Sequence, residues 1–353
     1  MVIRDFLLRL PGAAIVCGAV AAAAPAPAPA VAQEHSAGAT AQSIAPRWTV
    51  VAPDAALAWF ALLADLRLGG AGALDFTASR ASAPRESAPL RALELALAGT
   101  RDGEILHFVP LYHPSADRAA LAAALLGAVG DGAPSARATL LTGALRGAFT
   151  PARRRDRLPP LADALRRAVP AVPDAARLAS WQRLFDDEFG PALAPWLRLE
   201  SLDDGRLIIA PGIGPEGRIF AATADRRDNL VAVGSFPDDA DPAAPLHAFT
   251  REICFPAVTR ASQAARLDAR DPRAARRASL AAVRCGAALL DVRLPSRAAA
   301  YRAFWIRRVD ARAATTADGG LDAEFDRHFP PDQTFAAALA RELKRLAHSP
   351  GGP

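Results

Sequence analysis

The segment Leu246-His247-Ala248-Phe249-Thr250-Arg251-Glu252 comes closest in this chain to the spacing of a zinc-hydrolysis helix. Such a helix carries histidines at i and i+4, because one helical turn brings both imidazoles to the same metal. A glutamate directly after the first histidine takes a proton from the metal-bound water. His247 stands in the first ligand position, Ala248 where the base belongs, and Arg251 where the second histidine belongs. A guanidinium keeps its proton and cannot ligate zinc, and a methyl group accepts none. Glu252 is the nearest substitute base, but it lies about 40° round the helix from Ala248 after one full turn. A third ligand would come from a downstream carboxylate such as Asp291 or Glu324. The pattern predicts no bound zinc; a zinc held by His247 is the alternative. A lone histidine near a helix start is also read as an ordinary polar side chain.

Other residues offer less. His107 and His113 flank an apolar stretch and share a side if that stretch is extended, since their spacing is even. Gly212-x-Gly214-x-x-Gly217 has the form of a dinucleotide fingerprint, but Pro215 and the lack of a following helix make it a turn between strands. Glu216 and Arg218 in that turn are expected to be exposed, as binding residues. No Gly-x-Ser-x-Gly elbow occurs.

The N-terminus is ordered as a secretory signal: Arg4 and Arg9, an apolar Ala13–Ala24 stretch, a proline-broken run, and Ala30-Val31-Ala32 before Gln33. Cleavage there leaves about 320 residues, enough for one large domain or two small ones. The expected destination is the periplasm or the medium, with no membrane span after cleavage. Cys17 leaves with the signal, and Cys254 and Cys285 remain. In an oxidising compartment they are expected to form a disulfide closing a loop of about 30 residues, for about 3–4 kcal/mol; two buried thiols are the alternative. Net charge is +5, from 42 basic and 37 acidic residues, and Lys344 is the only lysine. The arginines are interleaved with acids and form one run of three, Arg153-Arg154-Arg155, in a loop-like stretch, so no nucleic-acid surface is expected.

The elements that must position these residues are mostly helical. Asp54–Leu68 is a helix stopped by Gly69-Gly70, Leu90–Leu97 another, and Ile105–Tyr112 is read as extended. Ser115 caps a helix through Leu125, and Leu158–Val169 and Asp174–Phe189 follow. Trp48–Ala52 is a short strand. Arg206–Ala210, Gly217–Ala222 and Leu230–Gly234 are three more, joined tightly enough to suggest an antiparallel meander. Helices then begin near Leu246 and span Pro272–Val292, Ser296–Val309 and Thr334–Ala347. The expected fold class is α+β, predominantly helical with one small antiparallel sheet. Residues 1–32 form the signal peptide, 33–46 a flexible leader, 47–198 a helical region, 199–347 the sheet with its helices, and 348–353 a tail.

A helical first half, a small sheet and then a helix opening His-x-Phe resemble an uncharacterised group of secreted HExxH-type zinc-metallopeptidase-like proteins, whose helix opens His-Glu-Phe-x-His. The likeness covers residues 54–310 in layout and Leu246–Arg251 in motif. Carried over by position, only His247 matches a ligand; Ala248 and Arg251 depart from the pattern, and so does Pro256, which would kink the helix. The resemblance implies a zincin-like second half and an exported, catalytically inactive protein that binds a peptide or envelope component in the old cleft. His247, Arg251, Glu216 and Arg218 are then the binding residues. An active exported metal-dependent hydrolase using His247 and Glu252 is one alternative, and a structural or interaction protein of the cell envelope is another.

Overall fold

The computed structural model describes residues 46–66, 68, 88–97, 105–221, 228–237, 239–268, 271–310 and 320–347. The segments read as signal peptide, leader (up to residue 45) and tail, together with Gly69-Gly70, lie outside the described residues. The fold is α+β and predominantly helical, with one small sheet.

Four strands form that sheet: β1 (Arg47–Val51), β2 (Asp204–Ile209), β3 (Arg218–Phe220) and β4 (Asn229–Val233). Their order is β1-β2-β4-β3. β1 runs parallel to β2 and β2 parallel to β4, and only β3 is antiparallel to its neighbour. The expected antiparallel meander is therefore corrected to a mixed sheet. After β2 the chain crosses to the far edge, makes β3 there, and returns with β4 into the gap.

The sheet divides two cores by the period-2 alternation of its side chains. Leu207, Ile209, Val231 and Val233 pack among the C-terminal helices, together with Trp48, Val50 and the 181–197 segment. Ile208, Ala210, Leu230 and Ala232 pack against the helices of residues 55–165.

On the second side lies α1 (Asp54–Asp65), whose buried residues run almost all round it, as befits a helix inside a core. Its Trp59 Nε1 donates to the Leu106 carbonyl at 2.6 Å. Asp54 in its first turn takes a bidentate bond from Arg118, which holds the carboxyl below the usual carboxylate range. Next come α2 (Ala88–Leu97) and the short α3 (Val109–Tyr112). The latter corrects the extended reading of Ile105–Tyr112, so the even-spacing argument for His107 and His113 lapses. α4 (Arg118–Gly127) is capped by Asp117 rather than Ser115, and α5 (Thr139–Ala148) has no counterpart in the expected elements. In α6 (Pro151–Arg167), Thr150 caps the start, so Arg153-Arg154-Arg155 is helical rather than a loop.

On the first side, α7 (Ala175–Leu184) widens into a π-turn at Phe185–Phe189 before α8 (Gly190–Leu199). Gly190 makes room for that turn, since a Cβ there would stand 2.9 Å from the Phe185 carbonyl oxygen. α9 (Ala244–Glu252) and α10 (Phe255–Ala264) follow β4, and Pro256 opens the second instead of kinking the first. α11 (Pro272–Arg293), α12 (Pro295–Val309), α13 (Leu321–His328) and α14 (Gln333–Ala347) complete the chain.

The loop from β2 to β3 rests directly on α1: a Cβ at Gly212 would meet the Phe60 carbonyl carbon and oxygen at 2.5 Å. Gly143 in α5 has nothing within 4 Å of its Cβ position. Gly212→Ala is therefore expected to lower stability by about 1–3 kcal/mol. Gly143→Ala should hold it or raise it by up to about 1 kcal/mol. Urea unfolding midpoints of the two variants, compared with the parent, check both.

Candidate functional site

α9 is built to be central. Asp241 accepts from the Ala243 amide at 2.8 Å ahead of the first turn, Pro245 sits where no intrahelical donor is needed, and every residue from Ala244 to Glu252 is buried. Four of these, His247, Thr250, Arg251 and Glu252, are polar, and burial at such depth obliges each to find a partner; Thr250 donates its hydroxyl to the Leu246 carbonyl at 2.8 Å.

His247 finds Asp241: its Nε2 lies 2.8 Å from Oδ2. That bond is the main reason the Asp241 carboxyl stands below its ordinary value. The ring sits among Phe189, Tyr301 and Phe304, at centroid distances of 6.0, 5.7 and 5.7 Å. Among the described residues Nδ1 has no partner. The π-turn places Phe189 in this cage, and the neighbouring Glu188 pairs with Arg297.

Arg251, one turn later, points into a different set of groups. Its Nη2 donates to Glu216 Oε1 at 2.7 Å and also to Ser279 Oγ, and Nη1 donates to Glu252. Ser279 Oγ donates in turn to Glu216. The rings of Phe255 and Trp305 flank the guanidinium at 4.7 and 5.4 Å, where their faces attract it. Glu252 also accepts the Gly217 amide at 3.0 Å. A Cβ on Gly217 would come within 2.7 Å of the Glu252 side chain, which is why a glycine stands there. Arg218 lies beside this cluster, its Nη1 donating to the carbonyls of Glu216 and Gly217 at 3.1 and 2.7 Å. Burial pushes the Glu252 carboxyl up, against the pull of Arg251 and Arg218. Burial also lowers Arg218, whose charge Glu216 and Glu252 support.

Four candidates from the sequence thus converge: Glu216, Arg218, Arg251 and Glu252. Two guanidinium and two carboxyl groups share one buried cluster. The expectation that Glu216 and Arg218 are exposed is corrected, since both are buried, with only 3% and 4% of their surface exposed. His247 does not join them, so positions 247 and 251 do not address a common point. Sequence reasoning missed Ser279 and Asp241. A serine inside an alanine-rich helix carries no signal, but Asp241 precedes the helix in a capping-type Asp-x-Asp-x pattern that a search for turn residues would find.

A small, partly enclosed hollow with room for about one water molecule lies against Arg218, lined by Phe60, Leu63, His107, Gly212, Ile213 and Gly214 with Arg218 itself. His107 is buried, its ring is hydrogen-bonded to the Leu68 backbone, and Nε2 has no partner among the described residues. Burial, with the nearby Arg218 charge, holds this imidazole well below its ordinary pKa and so neutral. The Gly-x-Gly of the sequence therefore forms one wall of a polar hollow. It leads into a strand, and no helix follows to hold a pyrophosphate.

Cys254 and Cys285 are free, buried thiols here, in place of the expected disulfide. They are nonetheless neighbours, with a side-chain hydrogen bond between them, and burial followed by this contact raises the Cys254 thiol well above its ordinary value. A thiol held protonated in this way is no nucleophile.

Among the described residues, the group whose potential metal-ligating atoms lie close together is Asp310, Glu324 and His328, with His247 absent from it. Arg327 already donates to Glu324 and contacts His328. Asp291, the other downstream carboxylate, pairs with Arg302 at 2.6 Å.

No family model, curated protein or solved structure matches the chain.

Because Arg251 balances two buried carboxyl groups, Arg251→Met is expected to cost about 3–5 kcal/mol. Adding Glu216→Gln and Glu252→Gln should recover part of that loss, because the carboxylates left unpaired then become neutral. Urea unfolding of the single and triple variants checks this; a single variant as stable as the parent would show that the guanidinium is not buried and paired in solution.

Proposed function

We propose that the chain is an exported, catalytically inactive protein with a zincin-like layout, and that it binds a peptide or envelope component. The observation that carries this reading is the commitment of Arg251. In the position of a second zinc ligand stands a guanidinium fully buried and bonded to Glu216, Glu252 and Ser279. The first position is committed as well, since the Nε2 of His247 is taken by Asp241 inside an aromatic cage. A helix that would hold a metal in an active relative serves here as the middle of a core.

An active metal-dependent hydrolase is the weaker alternative. The substitute base nearest His247, Glu252, is spent on Arg251 and the Gly217 amide. A purely structural or interaction protein of the cell envelope is the other alternative.

The dialysed mature protein is expected to hold no stoichiometric zinc, to cleave no casein, and to keep its unfolding midpoint in EDTA. Elemental analysis showing about one zinc per chain, lost in His247→Ala, would overturn the reading.

The two buried thiols give a second expectation. Cys254 and Cys285 are free here, so thiol titration of the denatured protein without reductant is expected to find two per chain, whereas none would mean that they are bridged.

A further inference from the structure

We propose that Asp310, Glu324 and His328 form an exchangeable site for a zinc-type divalent metal ion, which would fasten the end of α12 to α13. The site is separate from His247 and goes beyond the reading above, which stands with or without it.

Two helices bring the three side chains together. Glu324 and His328 stand one turn apart on α13, at the i, i+4 spacing that puts both on one face. Asp310 is the first residue after α12, and its amide closes that helix on the Ile306 carbonyl at 2.8 Å. Phe325 and Phe329, buried in the core with ring centroids 5.0 Å apart, hold α13 in place and so fix where its other faces lie. The potential ligand atoms of the three residues are all within 4.8 Å of one another. His328 Nε2 is 3.0 Å from Glu324 Oε1 and 4.0 Å from Asp310 Oδ2. Around a tetrahedral zinc with bonds of about 2.1 Å, neighbouring ligand atoms stand about 3.4 Å apart. The two distances bracket that separation, so small side-chain rotations close the site. All three residues are half-buried, which leaves a side open for water to complete the coordination.

The surrounding charges point to a cation of the same class. Asp322 and Asp326, the other acids of α13, pair with Arg302 and Arg284. Beside Glu324 the cation is Arg327, which donates from Nε to Oε2 at 3.0 Å and reaches His328 Nε2 at 3.1 Å. Asp310 supports its charge as well, so one cation already serves all three residues. Its side chain is 62% exposed and lies three positions from Glu324, and a surface pair of this kind is weakly held and swings out at little cost. A divalent ion brings twice the charge and bonds directly to the imidazole nitrogen. That nitrogen sets the class, since imidazole suits zinc and its neighbours, whereas calcium and magnesium take oxygen ligands. With three ligands and an arginine to displace, the affinity belongs in the micromolar range, and dialysis strips the ion.

The test is calorimetric titration of the dialysed protein near neutral pH with zinc chloride, and separately with calcium chloride. Zinc is expected to bind at about one ion per chain, with calcium giving no comparable signal. His328→Ala should weaken zinc at least about tenfold. Arg327→Gln removes the competing cation and should tighten zinc several-fold, and this change, on an exposed side chain, carries the test if His328→Ala fails to fold. Absence of zinc binding in both the parent and Arg327→Gln would mean an ion cluster served by arginine alone. Calcium bound as tightly as zinc would mean an acidic patch only. Either result, or an affinity that both substitutions leave unmoved, overturns the proposal. Zinc binding that follows His247 instead of His328 would overturn both this site and the catalytically inactive reading.

Discussion

The burial of the Arg251 guanidinium is the constraint around which the second half of the molecule is arranged. A charge with no exposed surface must be met by opposite charge and by hydrogen bonds on every side, or it costs more than a small fold can bear. Meeting it recruits Glu252 from the same helix, Ser279 from α11, and Glu216 from the β2–β3 loop. Those partners fix the loop against α9, and the loop in turn seats Gly212 on α1. One side chain thereby couples the two cores that the sheet otherwise separates.

The same arrangement explains why a helix with one histidine in the right place is not a metal helix. The two positions that would converge on a metal are drawn apart by different chemistries: an aromatic cage with a carboxylate for His247, and an ionic cluster for Arg251. Metal chemistry needs ligands that are deprotonated and aimed at an open point. Here the nitrogen atoms are aimed at protein.

Local order was legible in the sequence. The apolar residues of Asp54–Asp65 and the helix ends near residues 293 and 309 follow from periodicity and short-range capping. What escaped was non-local. The strands were recognisable one by one, but nothing in their spacing says that β4 enters between β2 and β3, because that depends on which edge offers unpaired backbone groups after β2 forms. Burial of Glu216 and Arg218 escaped for a related reason: a charged Pro-Glu-Gly-Arg turn reads as solvated until Arg251, 35 residues away, is seen to meet it. His107 was misplaced by a short helix at Val109–Tyr112, whose valine, proline and tyrosine favour other conformations and which tertiary packing holds in place.

The pairing of Arg47 with Asp204 carries a consequence for how the chain comes to its native state. Among the described residues β1 is the first element, and its sole strand partner is β2, more than 150 positions later. Until that partner exists, an apolar-faced ribbon waits with its backbone groups satisfied only by water, and closing so wide a loop is slow. Sheet assembly is therefore a late, whole-chain event: a growing or truncated chain that stops short of residue 204 contains helices but no sheet to join them. A polypeptide wired in this way stays pliable for most of its synthesis and commits to its shape only near the end.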